Sequence, residues 1–348
     1  MKFNINNRLI GENNPVFIIA ELSANHNQNF EIALKSIKAI KECGADAVKL
    51  QTYTADTITI DCDNEYFQIT HGTIWDGTTL YKLYQQAYTP WEWQPKLKEY
   101  AESIGLICFS SPFDKTAVDF LEKMNVPAYK IASFEIVDIP LIEYTASKGK
   151  PIIISTGIST EDEIKEAVES CKKMGNDQIA LLKCTSEYPA PIEEANLLSI
   201  PYLKEKYKVV AGLSDHTLGV TASITAVALG AKIIEKHFIL DKAIGGPDSS
   251  FSLEPNEFKQ LVTVIREAEK SLGKPTFELT EKIKKSRHFS RSLFAVKDIL
   301  NGEILTEDNV KSIRPAGGLP PKELHKILGK KAVQNIVKGT PINWNLIE

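Results

Sequence analysis

Eight short apolar runs, each finishing on polar or charged side chains, constrain this chain more than any other feature. They read VFIIAE (to Glu21), AVKLQ (to Gln51), ICFSSPF (with Ser110 and Ser111), YKIASFE (to Glu135), IIISTG (with Ser155), ALLKCTS (to Ser186), AGLSDH (to His216) and KIIEKHF (with His237). Short, β-branched-rich runs bounded by turn residues are the pattern of strands buried on both faces. Helical stretches such as EIALKSIKAIKECG and EDEIKEAVESCKKMG separate most of them. Alternation of strand and helix eight times predicts a (β/α)8 TIM barrel, whose chemistry sits at the C-terminal ends of its strands. The polar endings then converge on one mouth, which points to catalysis.

The chain has 348 residues, enough for one barrel of about 250 residues and a small further module. Lys plus Arg number 41 and Asp plus Glu 45, a net charge of −4 without like-charge runs. That balance suggests neither a nucleic-acid partner nor a membrane surface. The first residues lack the apolar stretch of a signal peptide, and no run approaches a membrane span. Five cysteines (Cys43, Cys62, Cys108, Cys171, Cys184) without CxxC spacing read as reduced, mostly buried thiols of a cytoplasmic protein. Cys184, at a strand end, reads as packing rather than as a nucleophile.

All but one of the strand-to-strand connections have the length of a single βα unit. The exception runs from about residue 53 to 106 and contains FQITHGTIWDGTTLYKLYQQAYTPWEW. It reads either as a long loop over the mouth, acting as a lid, or as an aromatic packing insert. The predicted domains are a barrel over 1–273, a polar linker over 274–290 and a second module over 291–348. Within that module DILNGEILTEDNV resembles NIVKGTPINWNLI, with turns at Gly302 and Gly339, so a small β-rich domain of two similar halves is expected. Its core is marginal at this size.

His216 and His237 close adjacent strands and make a sensible pair of ligands for Mn²⁺ or Mg²⁺, completed by water and substrate. A satisfied structural histidine is the alternative at each position. Lys49 and Lys130 lie in apolar strands, where an unpaired ammonium is costly. With Ser111, Ser133, Ser155, Ser186 and Ser214 at neighbouring strand ends they suit a phosphate and a carboxylate. Lys130 is also the candidate for a Schiff-base amine. Glu21 and Glu135 suit general acid or base work. Glu235, two residues before His237, is placed to hold that imidazole from behind. For each carboxylate the alternative is an ion pair with Lys49, Lys130 or Lys236. GGPD (245–248) and PAGG (315–318) match no dinucleotide or Walker pattern.

The motifs IAELSANH, DAVKLQTY, FSSPFD, YKIASFE, IISTGI, LLKCTSEYPA, GLSDHT, EKHF and FSLEP, in this order, resemble the sialic acid synthase family. RSLFAVKDILNGE with SIRPAGGL resembles that family's C-terminal antifreeze-like (SAF, β-clip) domain. ELSANH, GTIWDGTTLYKLYQQAYTPWEWQ and IASFEI are most similar to the pseudaminic acid branch. Neuraminate synthases typically carry glycine where this chain has Ala132 and Phe134. The resemblance implies condensation of phosphoenolpyruvate with an amino-sugar aldehyde and water, giving a nonulosonic acid and phosphate by C–O cleavage. For the pseudaminic branch the acceptor is 2,4-diacetamido-2,4,6-trideoxy-L-altrose; a neuraminate or legionaminate synthase would share the mechanism, and a Schiff-base aldolase would not.

Carried over by position, Lys49, Ser111, Lys130, Ser133, Ser155, Ser186 and Ser214 are expected to hold phosphoenolpyruvate. Asparagine is common in neuraminate enzymes at Ser186. His216 and His237 are expected to bind a divalent metal (Mn²⁺, Mg²⁺ or Co²⁺) that polarises the aldehyde. Gln51, Phe113, Tyr188 and Asp248 are expected to face the sugar. Arg314 corresponds to the family arginine that reaches a partner subunit's sugar site, which implies a domain-swapped homodimer.

Overall fold

A computed structural model describes every residue of the chain except His71. It divides into two compact units, Met1–Gly273 and Lys274–Glu348. The first begins with a hairpin of β1 (Lys2–Ile5) and β2 (Arg8–Gly11), turned through Asn6 and Asn7, both at positive φ. Asparagine tolerates that left-handed backbone better than most side chains.

Eight strands follow: β3 (Phe17–Glu21), β4 (Ala47–Thr52), β5 (Ile107–Pro112), β6 (Tyr129–Ile131), β7 (Ile152–Ser155), β8 (Ile179–Cys184), β9 (Val210–Asp215) and β10 (Ile233–His237). They form a closed parallel barrel in chain order, β10 pairing back onto β3. The predicted barrel is therefore present. Helices cover it where the sequence provides both periodicity and ends. Glu161–Lys173 starts on a Thr160–Glu163 capping box, and Phe30–Glu42 on the side chain of Asn29.

Alternation sorts each strand's side chains by period two. Ile18, Ala20, Val48 and Leu50 pack outward in one cluster with helix residues Ala33, Ile37 and Leu97. Phe17, Ile19, Phe109, Ile153, Leu182 and Ile233 cluster with Phe3, Ile5 and Ile10 of the hairpin. The hairpin thus plugs the end of the barrel at which the strands start. Its one signal in the sequence is the Asn6–Asn7 dipeptide between two short alternating runs. Asp46, just before β4, is bonded to Arg8 at 2.8 Å and Arg266 at 2.9 Å, and so ties the hairpin to the helix Pro255–Leu272 at that end.

The connection after β4 is not only loop. It contains the helix Leu80–Ala87, started by the Thr79 side chain, and an isolated bridge between Gln68 and Thr79. The following barrel helix is Gln94–Ser103, after one 3₁₀ turn at Trp91–Trp93.

The second unit contains β11 (Ser292–Ala295) paired antiparallel with β12 (Val310–Ile313). The two similar halves meet where Ile299 and Ile336 exchange both backbone hydrogen bonds at 2.8 Å. Gly302 and Gly339 turn the two halves at φ 82° and 88°. Leu293, Ile299, Leu305, Ile336 and Ile342 form its core. Within 274–290 a short exposed helix spans Glu281–Ser286.

Candidate active site

Closing the barrel brings four buried charged side chains from four strands together. Lys49 Nζ on β4 lies 2.6 Å from Glu21 on β3 and 3.5 Å from Glu235 on β10. Lys130 Nζ on β6 lies 3.3 Å from the same Glu235 oxygen. Ser214 donates to that oxygen at 3.0 Å, Lys49 donates to Ser111 at 3.3 Å, and Gln51 donates to Glu21 at 3.1 Å. Glu235 therefore binds the two lysines and does not stand behind His237, as the two-residue spacing suggested. The barrel's curvature aims its carboxylate across the interior, where two ammonium groups compensate its burial.

Burial alone would push the Glu235 carboxyl up, but Lys130 and Lys49 outweigh it and hold the group low. Burial pushes Glu21 up, against the pull of Lys49. For Lys49 burial opposes the charge, yet Glu21 and Glu235 prevail and raise it. Lys130 is lowered, because burial outweighs its single carboxylate. The site is thus a buried pair of lysines whose counter-ions are two buried carboxylates.

A second group lies beside it. The strand at YKIASFE stops at Ile131, and Ser133–Glu135 form a 3₁₀ turn, so Glu135 sits in a turn and not on a strand. One of its oxygens is buried without a partner, and burial raises the carboxyl to about 7. Ser133 accepts from the Gly157 N–H at 3.2 Å. A Cβ on Gly157 would meet Ser186 Oγ at 2.1 Å and Ser133 Oγ at 2.8 Å, so only glycine lets these hydroxyls converge. Ser155 is buried, its hydroxyl unpartnered.

The two histidines form the third group, their ring centroids 5.4 Å apart. His216 Nδ1 lies 2.9 Å from the Thr185 carbonyl. A carbonyl only accepts, so Nδ1 carries a proton and Nε2 is the nitrogen left to face a ligand. Against its burial, Cys184 and the Thr185 carbonyl raise this imidazole above its usual range. His237 Nδ1 is buried without a hydrogen bond, 4.0 Å from an Asp248 oxygen. Burial, with His216 beside it, holds His237 well below the usual histidine range. Among the described residues no three His, Cys, Asp or Glu side chains form a metal cluster. The pair fits a cation whose remaining ligands are oxygens of water and substrate, since the two imidazoles stand side by side and His237 has an orphaned ring nitrogen.

Tyr188 lies 4.4 Å from the His216 ring and 5.2 Å from Phe251. Asp248 accepts from Ser23 at 2.5 Å, and burial raises its carboxyl. Phe113 packs on Tyr53 at 5.1 Å. Arg314 is exposed in the second unit, just after β12. Three residues that the sequence reading did not place in the site are there. Trp75 packs at 5.3 Å on Tyr188, Phe251 at 4.9 Å on His237, and Cys184 Sγ lies 3.7 Å from His216 Nδ1. Against its burial, His216 draws the Cys184 thiol down to about 6. Phe134 is 57% exposed, so the enclosed apolar surface near the histidines comes from Tyr188, Phe251 and Trp75 instead.

Residues 36–276 match the NeuB family. The chain belongs to that family. Residues 290–348 match the SAF domain. The chain is 52% identical to the pseudaminic acid synthase of Campylobacter jejuni over 93% of its length and 94% of that enzyme's. It is 36% identical to the N,N'-diacetyllegionaminic acid synthase of Legionella pneumophila, over 97% and 96%. Among solved structures it resembles the N-acetylneuraminic acid synthetase of Leptospira borgpetersenii in complex with citrate. That likeness has a TM-score of 0.73 at 34% identity and covers 82% of this chain and 95% of that one. No helix among the described residues is long and apolar enough to cross a membrane.

Proposed function

We propose that this NeuB-family enzyme is a pseudaminic acid synthase, condensing phosphoenolpyruvate with 2,4-diacetamido-2,4,6-trideoxy-L-altrose and water. The observation that carries the reading is two buried lysines beside two buried histidines in one barrel mouth, in a chain this similar to the Campylobacter enzyme. Lys49 and Lys130, with Ser111 and Ser214, hold the phosphate and carboxylate of phosphoenolpyruvate in place of Glu21 and Glu235. Ser133, Ser155 and Ser186 complete the anion site. A divalent cation (Mn²⁺, Mg²⁺ or Co²⁺) held by His216 and His237 would supply Lewis acidity toward the aldehyde.

As C3 of phosphoenolpyruvate attacks the aldehyde carbon, charge grows on the aldehyde oxygen, and Glu135 delivers its proton there. Burial has raised this carboxyl to the range where it stays protonated near neutrality. Water then adds at C2, its proton passing to Glu21, and the lysines stabilise phosphate as the C2–O bond breaks. Gln51, Phe113, Tyr188 and Asp248 orient the sugar.

The mouth is covered by a second copy of the chain, with Arg314 of its C-terminal unit completing the sugar site in a domain-swapped homodimer. Apolar side chains on loops that follow barrel strands support this reading. Phe134, Ile158, Leu198 and Leu218 are all about half exposed or more, as are Phe277 and Phe289 before the second module.

Phosphate release from phosphoenolpyruvate, measured with a panel of amino sugars, tests the assignment. The diacetamido-trideoxy-altrose should be turned over best, and oxygen-18 from labelled water should appear at C2 of the product. A clear preference for N-acetylmannosamine would reassign the chain to neuraminate synthesis. Label in the released phosphate would overturn C–O cleavage. Borohydride trapping of a substrate adduct on Lys130 would establish the aldolase alternative.

A further inference from the structure

The long insertion after β4 reaches the histidines through Trp75. Its indole Nε1 donates to the Pro247 carbonyl at 2.9 Å, across 172 residues of sequence. Its ring lies 5.3 Å from Tyr188, tilted by 54°. Tyr188 packs at 5.2 Å on Phe251, which packs at 4.9 Å on His237. Pro247 immediately precedes Asp248, whose carboxylate is fixed by Ser23. One side chain therefore touches both segments expected to face the sugar.

The base of the insertion is pinned as well. His26 Nδ1 accepts from the Gln28 N–H at 3.1 Å, so its proton is on Nε2, which donates to Thr89 Oγ1 at 2.9 Å. Gln28 Nε2 donates to the carbonyls of Tyr88 at 2.5 Å and Gln86 at 3.2 Å. These contacts hold the segment entering the Gln94–Ser103 helix against the loop after β3. Trp75 is thus carried on an anchored insertion and is bonded again at its tip. A cavity of about 520 Å³ opens beside it, lined by Trp75, Ile74, Gln28, Gln86 and Pro247.

We propose that Trp75 is a specificity-determining residue: with Tyr188 and Phe251 it forms an aromatic wall for the apolar face of a deoxygenated acceptor sugar, and its N–H···O bond holds the turn that presents Asp248. The inference rests on the assignment of the reaction given above. Ring faces accept C–H and methyl groups, whereas a hydroxyl pressed on them gives up water without gaining a partner. Phe134, at 57% exposure, lies outside this enclosed aromatic surface.

The test compares wild-type enzyme with Trp75→Phe and Trp75→Ala in steady-state kinetics, using a 6-deoxy acceptor and its 6-hydroxy counterpart. Trp75→Ala should raise the sugar KM about tenfold, the scale of losing one well-packed aromatic contact, and leave the phosphoenolpyruvate KM within about twofold. It should also narrow the preference for the 6-deoxy acceptor. Trp75→Phe keeps a ring and loses the N–H, so its defect should be intermediate, and it serves if the alanine variant fails to fold. Titrating acceptor without phosphoenolpyruvate should change the intrinsic fluorescence of the wild type and much less that of Trp75→Phe. Equal rises in both KM values, or an unchanged acceptor preference, would mean the residue only packs the insertion and would overturn the proposal. Wild-type enzyme inactive with every amino sugar would instead sink the reaction assignment, and this inference with it.

Discussion

Glu235→Gln removes the negative charge that two buried lysines share while keeping the shape of the side chain and its contact with Ser214. Lys49 retains Glu21 at 2.6 Å, so the loss falls on Lys130, for which Glu235 at 3.3 Å is the ion-pair partner. Both members of that pair are nearly inaccessible, Lys130 at 2% and Glu235 at 4%. At an effective dielectric of about 20, attraction over this distance amounts to about 5 kcal/mol, much of it offset in the wild type by the desolvation of both charges. Stranding one ammonium should therefore cost about 3–5 kcal/mol. For a unit of this size that is a fall in Tm of roughly 10 °C.

Thermal melts of the wild type, Glu235→Gln, Lys130→Met and the double variant, with and without phosphoenolpyruvate, would measure it. The double variant contains no stranded charge, so it should melt well above Glu235→Gln. Phosphoenolpyruvate should raise the Tm of Glu235→Gln more than that of the wild type, because the anion supplies the missing counter-charge. A Glu235→Gln melt within about 2 °C of wild type, or a double variant in which the two losses simply add, would refute the shared-counter-ion reasoning.

Chelation should abolish turnover, and Mn²⁺, Co²⁺ or Mg²⁺ should restore it. His216→Ala and His237→Ala should each lose Mn²⁺ binding by electron paramagnetic resonance with the circular dichroism spectrum unchanged; full activity after exhaustive chelation would contradict the two-histidine site. Burial raises Glu135 from 4.5 to about 7, so the folded protein keeps this proton where the unfolded chain has lost it. Its stabilising contribution is then fully present below about pH 4.5 and is lost as the pH rises through 7. As a proton donor it should make the rate fall above about pH 7, and Glu135→Gln should be slow with that limb gone. Mixing Arg314→Ala with His216→Ala chains should restore activity after subunit exchange, since one site of each mixed dimer carries neither defect; mixed dimers with no gain would place Arg314 over its own barrel.

The residues that declare themselves in the sequence are those whose position follows from local period. Runs of fully buried strand, closing on Glu21, Ser111, Ser155, His216 and His237, determine the barrel because alternation and turn residues are local properties of the chain. The same pattern places Lys49 and Lys130 inward, where an ammonium needs a partner. Which partner each takes was decided only by closure. Glu235 stands two residues from His237 in sequence, yet its carboxylate meets lysines from β4 and β6, because the register around a closed sheet sets distances across the interior. Glu135 belongs to a turn, since β6 pairs with its neighbours through only three residues. The hairpin plug, the helix Leu80–Ala87 and the arrival of Trp75 beside Tyr188 likewise depend on packing between segments far apart in the chain. Period fixes which face a side chain occupies; tertiary packing fixes what it meets there.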